Sequence, residues 1–256
     1  MKDPIVVIGI GEMAGVFTRG FLKQGYPVFP VLRSDNMSAE AKALVKPALV
    51  LVSVGEGDLH QVLAQIPQAW SDRIGLLQNE LLPRDWQAHT LITPTVISVW
   101  FEKKKGHEFK VLVPSPVYGP AAAIIEESLE SLGIPCWELT SENELEFELV
   151  RKNVYILTTN IAGLALPAGS DVDTLWNQHQ SLARDVANEV MDIQFKLIGK
   201  ELDRAKLIDG MVEGIDGDLH HQCMGRSAPG RLKRALQHAD EFGLAVPRLR
   251  GIAAQS

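Results

Sequence analysis

The stretch Pro4–Gly25, PIVVIGIGEMAGVFTRGFLKQG, decides the fold. It opens on Ile5-Val6-Val7-Ile8, an apolar run too short to span a membrane and rich in the β-branched residues that suit a strand buried on both faces. This run predicts the first strand of a parallel sheet. Gly9-Ile10-Gly11-Glu12-Met13-Ala14 follows in the G-x-G-x-x-A form of the dinucleotide fingerprint, and Met13, Val16, Phe17 and Phe21 then recur at helical spacing. Gly9 allows a tight turn, Gly11 lets the backbone approach a pyrophosphate, and Ala14 keeps the helix close to the strand. The positive end of the helix then receives the phosphate charge. An ordinary strand-to-helix turn is the competing reading, and the order strand, glycine turn, helix argues against it.

Working outward, the 256 residues allow one large domain or two ordinary ones, and 46% hydrophobic content is enough for proper cores. A net charge of -7 argues against a nucleic-acid partner. Lys103-Lys104-Lys105 reads as a solvated turn. Cys136 and Cys223 show no disulfide or metal-ligand spacing, so a reducing cytoplasmic setting is expected. No signal-peptide layout, membrane span, repeat or low-complexity segment stands out.

Tyr26–Leu32 reads as a second strand whose prolines argue for an edge or an irregular entry, and it ends in Arg33-Ser34. An acid at this point suits the ribose hydroxyl of NAD, whereas an Arg suits the 2′-phosphate of NADP; a solvated strand-end Arg is the alternative. Ser38–Leu44 is a short helix and Ala48–Val54 a buried strand, with Asp58 expected to cap the helix after it. Ile74–Leu77 is a strand that delivers Gln78-Asn79-Glu80 to the carboxyl edge of the sheet, where ligands sit in open α/β folds. Further strand-like runs are Leu91-Ile92, Thr95–Phe101 and Val111–Val113, then a helix and strand within Ala121–Trp137. The character changes after Thr140. Ser141–Glu144 looks like a capping box opening a long helix with an apolar stripe at Val150, Val154, Leu157, Ile161 and Leu164. Helical patterns continue over Leu175–Leu197, Glu201–Val212 and Leu232–Phe242, with Gly243 as a stop. The expected fold is α/β, a Rossmann doubly wound parallel sheet over residues 1–139 binding NADP, followed by a mostly α-helical substrate and dimerisation domain over 140–256.

Several local matches together resemble the ketopantoate reductase family, whose helical domain is similar to that of 6-phosphogluconate dehydrogenase. They are Gly9-x-Gly11-x-x-Ala14, Leu32-Arg33, Gln78-Asn79 at a Gln-Asn-Gly segment, Arg151-Lys152 with Asn160 two turns on, Gly230-Arg231, and ADEFGLAVP from Ala239 to Pro247 near the C-terminus. The resemblance implies an NADPH-dependent oxidoreductase in which hydride goes to a small 2-keto acid and a lysine protonates the forming alkoxide. Lys152 is then the proton donor, and burial in its helix would depress its pKa toward neutrality. Asn79 and Asn160 become hydrogen-bonding groups in the catalytic site. The cofactor-binding set is Gly9, Ile10, Gly11, Glu12, Met13, Ala14, Arg33, Ser34, Ser53, Val54, Gln78 and Asn79. A homodimer is implied on the same ground.

The departures bear on the substrate. Gly55-Glu56-Gly57 stands where the family commonly has a lysine, and Ile156 where its helix has a first asparagine. The acid expected beyond Gly230-Arg231 is replaced by Lys233 or Arg234. This exchange favours a more anionic keto acid or hydroxy acid, or else a loss of the chemistry that leaves a non-catalytic NADP-binding regulatory or partner-binding protein. No metal is expected, because His220-His221 and Cys223 offer no usual ligand spacing and adjacent histidines on a helix diverge. No serine sits in a nucleophile elbow.

Overall fold

The computed structural model describes residues 2–89, 91 and 93–255. The chain divides into two compact units, Met1–Glu148 and Leu149–Ser256. Unbroken apolar runs become the middle of a sheet in the first unit. The run of β1 (Ile5–Ile8) is buried at all positions, and α1 (Glu12–Lys23) follows it. The chain then forms β2 (Val28–Val31), α2 (Met37–Ala43) and the fully buried β3 (Leu49–Val52). After a 3-10 turn comes α3 (Leu59–Leu63), and after a second one β4 (Ile74–Leu76), α4 (Pro83–Gln87) and β5 (Thr95–Ile97). A two-stranded excursion, β6 (Phe101–Lys103) and β7 (Phe109–Val111), precedes β8 (Ser115–Tyr118), α5 (Ala122–Glu130) and β9 (Cys136–Glu138).

The seven-stranded order is β2-β1-β3-β4-β5-β8-β9. Strands β2, β1, β3, β4 and β5 run parallel, so the Rossmann-type doubly wound core forms, and the winding reverses between β1 and β3. That reversal opens a crevice at the carboxyl ends of the two strands. Strand β2 lies at the edge, where Pro30 opposite Val7 costs no second ladder. The core beneath the sheet gathers Val16, Phe17 and Phe21 of α1 with Ile125 and Leu129 of α5, and Phe17 also meets Phe101 with ring centroids 6.0 Å apart.

The sheet is parallel-dominated as expected, with one antiparallel pair, β8 on β5, and three strand expectations are corrected. Strand β8 itself, Ser115-Pro116-Val117-Tyr118, is hidden by its proline, yet the Pro116 carbonyl still accepts the Ser98 N–H at 2.9 Å. Thr95–Phe101 splits between two sheets, and the expected strand at Val111–Val113 falls two residues earlier in the small one. Leu91 is not in a strand, and Ile92 of that expected run lies outside the described residues.

The long helix α6 (Glu142–Gly163) starts as the capping motif predicts at one end only. Ser141 Oγ accepts the Glu144 N–H, but the Glu144 carboxylate turns to the N–H and hydroxyl of Thr140. The second unit continues with α7 (Val172–Gln178), α8 (Gln180–Ile198), α9 (Arg204–Gly217), α10 (Ala228–Glu241) and α11 (Pro247–Ala253). The single pattern over Leu175–Leu197 therefore breaks at His179, and α9 begins three residues later than its pattern because Asp203 caps the N–H groups of Ala205 and Lys206. Helix α8 is the hub: Ala183, Val186, Ala187, Val190 and Met191 are buried, and α7, α9, α10 and α11 pack on it. Buried Asn153 of α6 donates to Gln194 of α8 at 2.9 Å. Among the described residues no helix is long and apolar enough to cross a membrane.

Candidate active site

The crevice at the reversal point is a cleft of about 920 Å³ in the first unit, lined by the carboxyl ends of β1, β2 and β3 and the turns after them. Backbone bonds hold those ends together. Gly9 N–H reaches Val31 O at 3.0 Å and Ser53 N–H reaches Ile8 O at 2.8 Å. Gly9 has φ +91°, and a Cβ there would lie 2.8 Å from Ser53 O, so a bare backbone is what lets the β1 turn pass the end of β3. Gly11 differs: its φ is ordinary, and a Cβ would meet nothing within 4 Å. Its missing side chain leaves open space at the start of α1, where no side chain caps the helix. The first N–H groups of a helix lack intrahelical partners, so this end is fitted to an anionic diphosphate.

Of the residues expected around a dinucleotide, Gly9, Ile10, Gly11, Arg33, Ser34, Ser53 and Val54 line this cleft. Ile10 is exposed within it, whereas Ser53 is buried with its hydroxyl lacking a partner among the described residues. Glu12, Met13, Ala14, Gln78 and Asn79 do not line it. Ala14 is buried against the sheet and Met13 packs beside it, while the Glu12 carboxylate pairs with Lys103 Nζ at 3.2 Å. Gln78 is a brace: its amide donates to Val52 O at 2.7 Å and Val54 O at 3.2 Å, tying β4 to the end of β3. Asn79 donates to Glu56 Oε1 at 3.3 Å. Glu80 takes a left-handed φ of +63° at the position where the Gln-Asn-Gly segment carries glycine, a conformation that costs an L-residue about 1–2 kcal/mol.

Asp58 does not cap α3, which corrects the sequence expectation: its side chain makes no capping bond. The carboxylate reaches across instead to Arg33 Nη2 at 2.7 Å.

In the second unit, Lys152 of α6 keeps part of its surface accessible. Desolvation, then the positive charges of Arg231 and Arg151, pull its pKa from 10.5 to about 7. Each neighbour is held in place. Arg151 bonds Glu213 Oε2 at 2.6 Å and lies across Gly210 of α9, where a Cβ would collide with its Nε. Gly210→Ala is therefore expected to push Arg151 out of its slot and lower stability by about 1–3 kcal/mol, read from a urea melt, although alanine is the better helix former. An unchanged midpoint would show that the arginine moves freely.

Asn160 lies in this same unit but is consumed internally. Its Oδ1 accepts from Arg231 Nη1 at 2.6 Å and its Nδ2 donates to Cys223 O at 3.0 Å, with Asn160 5% and Arg231 6% exposed. It orients Arg231 and pins the segment before α10 onto α6. Arg231 is the residue that sequence reasoning passed over as a site member. The signal was present: Ala228, Arg231, Leu232, Ala235 and Ala239 form the buried stripe of α10, and a charge in such a stripe needs a reason. Arg234 lies one turn on and is half-buried, while Lys233 is exposed. The histidines are not on a helix as expected: His220 lies 3.5 Å from Asp171 and His221 4.0 Å from Asp218, in a segment closed by the Asp171–Gln222 bridge. Cys223 and Cys136 are free and buried, and burial pushes both thiols up to about 12.

No protein-family model matches the chain, and no curated protein sequence is detectably similar to it. Solved structures share its fold over nearly its whole length. The 2-dehydropantoate 2-reductase from Methylococcus capsulatus aligns with a TM-score of 0.66 at 15% identity, covering 98% of this chain and 95% of that one. D-mandelate dehydrogenase in complex with NADH gives a TM-score of 0.66 at 15% identity, with 99% and 97% covered. A dimeric ketopantoate reductase from Staphylococcus aureus gives 0.65 at 11% identity, with 98% and 96% covered. The two-part arrangement of a Rossmann-type sheet and a helical unit is thus that of these reductases and dehydrogenases.

Proposed function

We propose that the protein is a nicotinamide-dinucleotide-dependent reductase of a small anionic 2-keto acid, or in reverse a dehydrogenase of the matching hydroxy acid, with Lys152 as proton donor in the reductive direction. The observation that carries this reading is a lysine ammonium whose pKa is pulled to about 7 by desolvation and then by the charges of Arg231 and Arg151, in a chain with the fold of 2-keto acid reductases. Bound in the cleft of the first unit, the dinucleotide would supply the hydride. Gly9, Gly11 and the uncapped start of α1 would take its diphosphate, and Arg33 with Ser34 would face the adenosine ribose, which favours NADP. Hydride addition leaves charge on the substrate oxygen; Lys152 stabilises that charge and gives up its proton. Desolvation, then the charges of Arg231 and Arg151, keep the lysine acidic, and the two arginines attract an anionic substrate. Asn160 acts by holding Arg231, and Asn79 offers an amide at the end of β4.

A cytoplasmic location fits the two free, buried cysteines. A homodimer is proposed on the likeness to the dimeric Staphylococcus aureus enzyme. A second reading, a non-catalytic dinucleotide-binding protein, is favoured by the way Asn160 spends its amide on Arg231 and Cys223. The deciding experiment follows the absorbance of NADPH and NADH with a panel of 2-keto acids bearing one or two anionic groups. Turnover of a panel member supports the reductase. Tight dinucleotide binding with no turnover supports the second reading.

A further inference from the structure

Arg33 and Asp58 meet across the mouth of the dinucleotide cleft. Among the described residues lining it, Arg33 is the only cation, and Asp35 and Asp58 are the two acids. Asp35 is committed elsewhere: one oxygen accepts the Leu32 N–H at 2.7 Å and the other the Ser34 hydroxyl at 3.3 Å, which shapes the turn after β2. Asp58 is not committed in this way. It precedes α3 at the capping position and makes no cap bond, so its one described partner is the Arg33 guanidinium.

We propose that Asp58 sets the cofactor preference of this chain, by competing with a 2′-phosphate for Arg33 and by offering its carboxylate to unmodified ribose hydroxyls, so that NADH and NADPH are both accepted. The inference rests on the cofactor reading above. A 2′-phosphate brings roughly two negative charges and needs the guanidinium. Where it binds, Asp58 loses its partner and faces a like charge. A ribose carrying a free 2′-hydroxyl brings a neutral donor, which a carboxylate accepts while keeping Arg33 paired. The pair is a tuner rather than a lock. Arg33 is 88% exposed and Asp58 47%, and ion pairs this exposed are weak enough for a dianion to break.

The test is titration calorimetry of the full chain with NADPH, NADH, 2′,5′-ADP and 5′-AMP, on the natural protein, on Asp58→Asn and on Arg33→Ala. Both dinucleotides should bind the natural protein within about tenfold of one another. Asp58→Asn should tighten NADPH and 2′,5′-ADP by about five- to tenfold while NADH and 5′-AMP weaken or hold. Arg33→Ala should weaken only NADPH and 2′,5′-ADP, the two ligands that carry a 2′-phosphate. Thermal melts of the variants should match the natural protein, since both side chains are exposed at the cleft mouth. An unchanged NADPH-to-NADH ratio in Asp58→Asn overturns the inference while leaving the cofactor site intact. If the natural protein binds none of the four ligands, the cofactor reading itself fails.

Discussion

Lys152→Ala is expected to lower kcat for keto-acid reduction by about 10²–10⁴-fold, with dinucleotide affinity unchanged. The magnitude is what a positioned general acid contributes, and it falls on kcat because proton donation matters only as charge develops on the substrate oxygen. With a lysine pKa near 7, kcat/KM should stay level in acid and decline as pH rises through neutrality. An anionic substrate beside the ammonium raises its pKa, so the break in kcat should come at a higher pH than the break in kcat/KM. A kcat that is indifferent to the substitution would remove Lys152 from the chemistry.

The same lysine makes a prediction that needs no substrate. Its folded pKa lies below its unfolded value, so between about pH 7 and 10.5 the unfolded chain holds the extra proton. Lys152 therefore costs stability in full below pH 7, and the cost fades as pH rises toward 10.5. Lys152→Met should raise the unfolding midpoint most at acidic and neutral pH and converge with the natural protein in alkali. A gain independent of pH would mean that packing, and not charge, was responsible.

Gly9→Ala and Gly11→Ala should behave differently although they stand two residues apart in one motif. A Cβ at Gly9 meets Ser53 O at 2.8 Å and Val54 Cγ1 at 3.1 Å, in a backbone conformation that L-residues rarely adopt. The end of β3 has no room to retreat, because Ser53 N–H is bonded to Ile8 and the Gln78 amide grips Val52 and Val54. Gly9→Ala is thus expected to lose about 2–4 kcal/mol of stability and dinucleotide binding along with it. Gly11→Ala touches nothing within 4 Å, so its fold should hold while its methyl group fills the space a diphosphate needs. Urea melts and calorimetry on the pair separate the roles. Unaltered dinucleotide binding by Gly11→Ala would mean that the diphosphate lies elsewhere.

Much of this was legible in the residues alone. Strand β1, the glycine turn and α1 announce themselves because burial on both faces, bare backbone and helical spacing are each encoded within a few neighbours. The mostly helical character after Thr140 was legible for the same reason, and Pro27 and Pro30 left an edge strand or an irregular entry, of which the strand order takes the first. Strand β8 was not, because Pro116 reads as a breaker unless the partner strand that accepts its geometry is known. The break at His179 was also lost, since the buried positions Leu175, Ala183, Val186 and Val190 keep helical spacing across it.

The amino-acid order by itself determined the first strand and helix, most of the later elements, where the bare turn lies, and that Lys152 stands inside a helix with an apolar stripe. Only the tertiary structure decided the partners. It gave Asp58 to Arg33 rather than to a helix end, Gln78 to the end of β3, and Asn160 to Arg231, 71 residues away. Local periodicity is written in consecutive residues, whereas the partner of a charge depends on strand order and helix packing, which bring together groups that no short window of sequence contains.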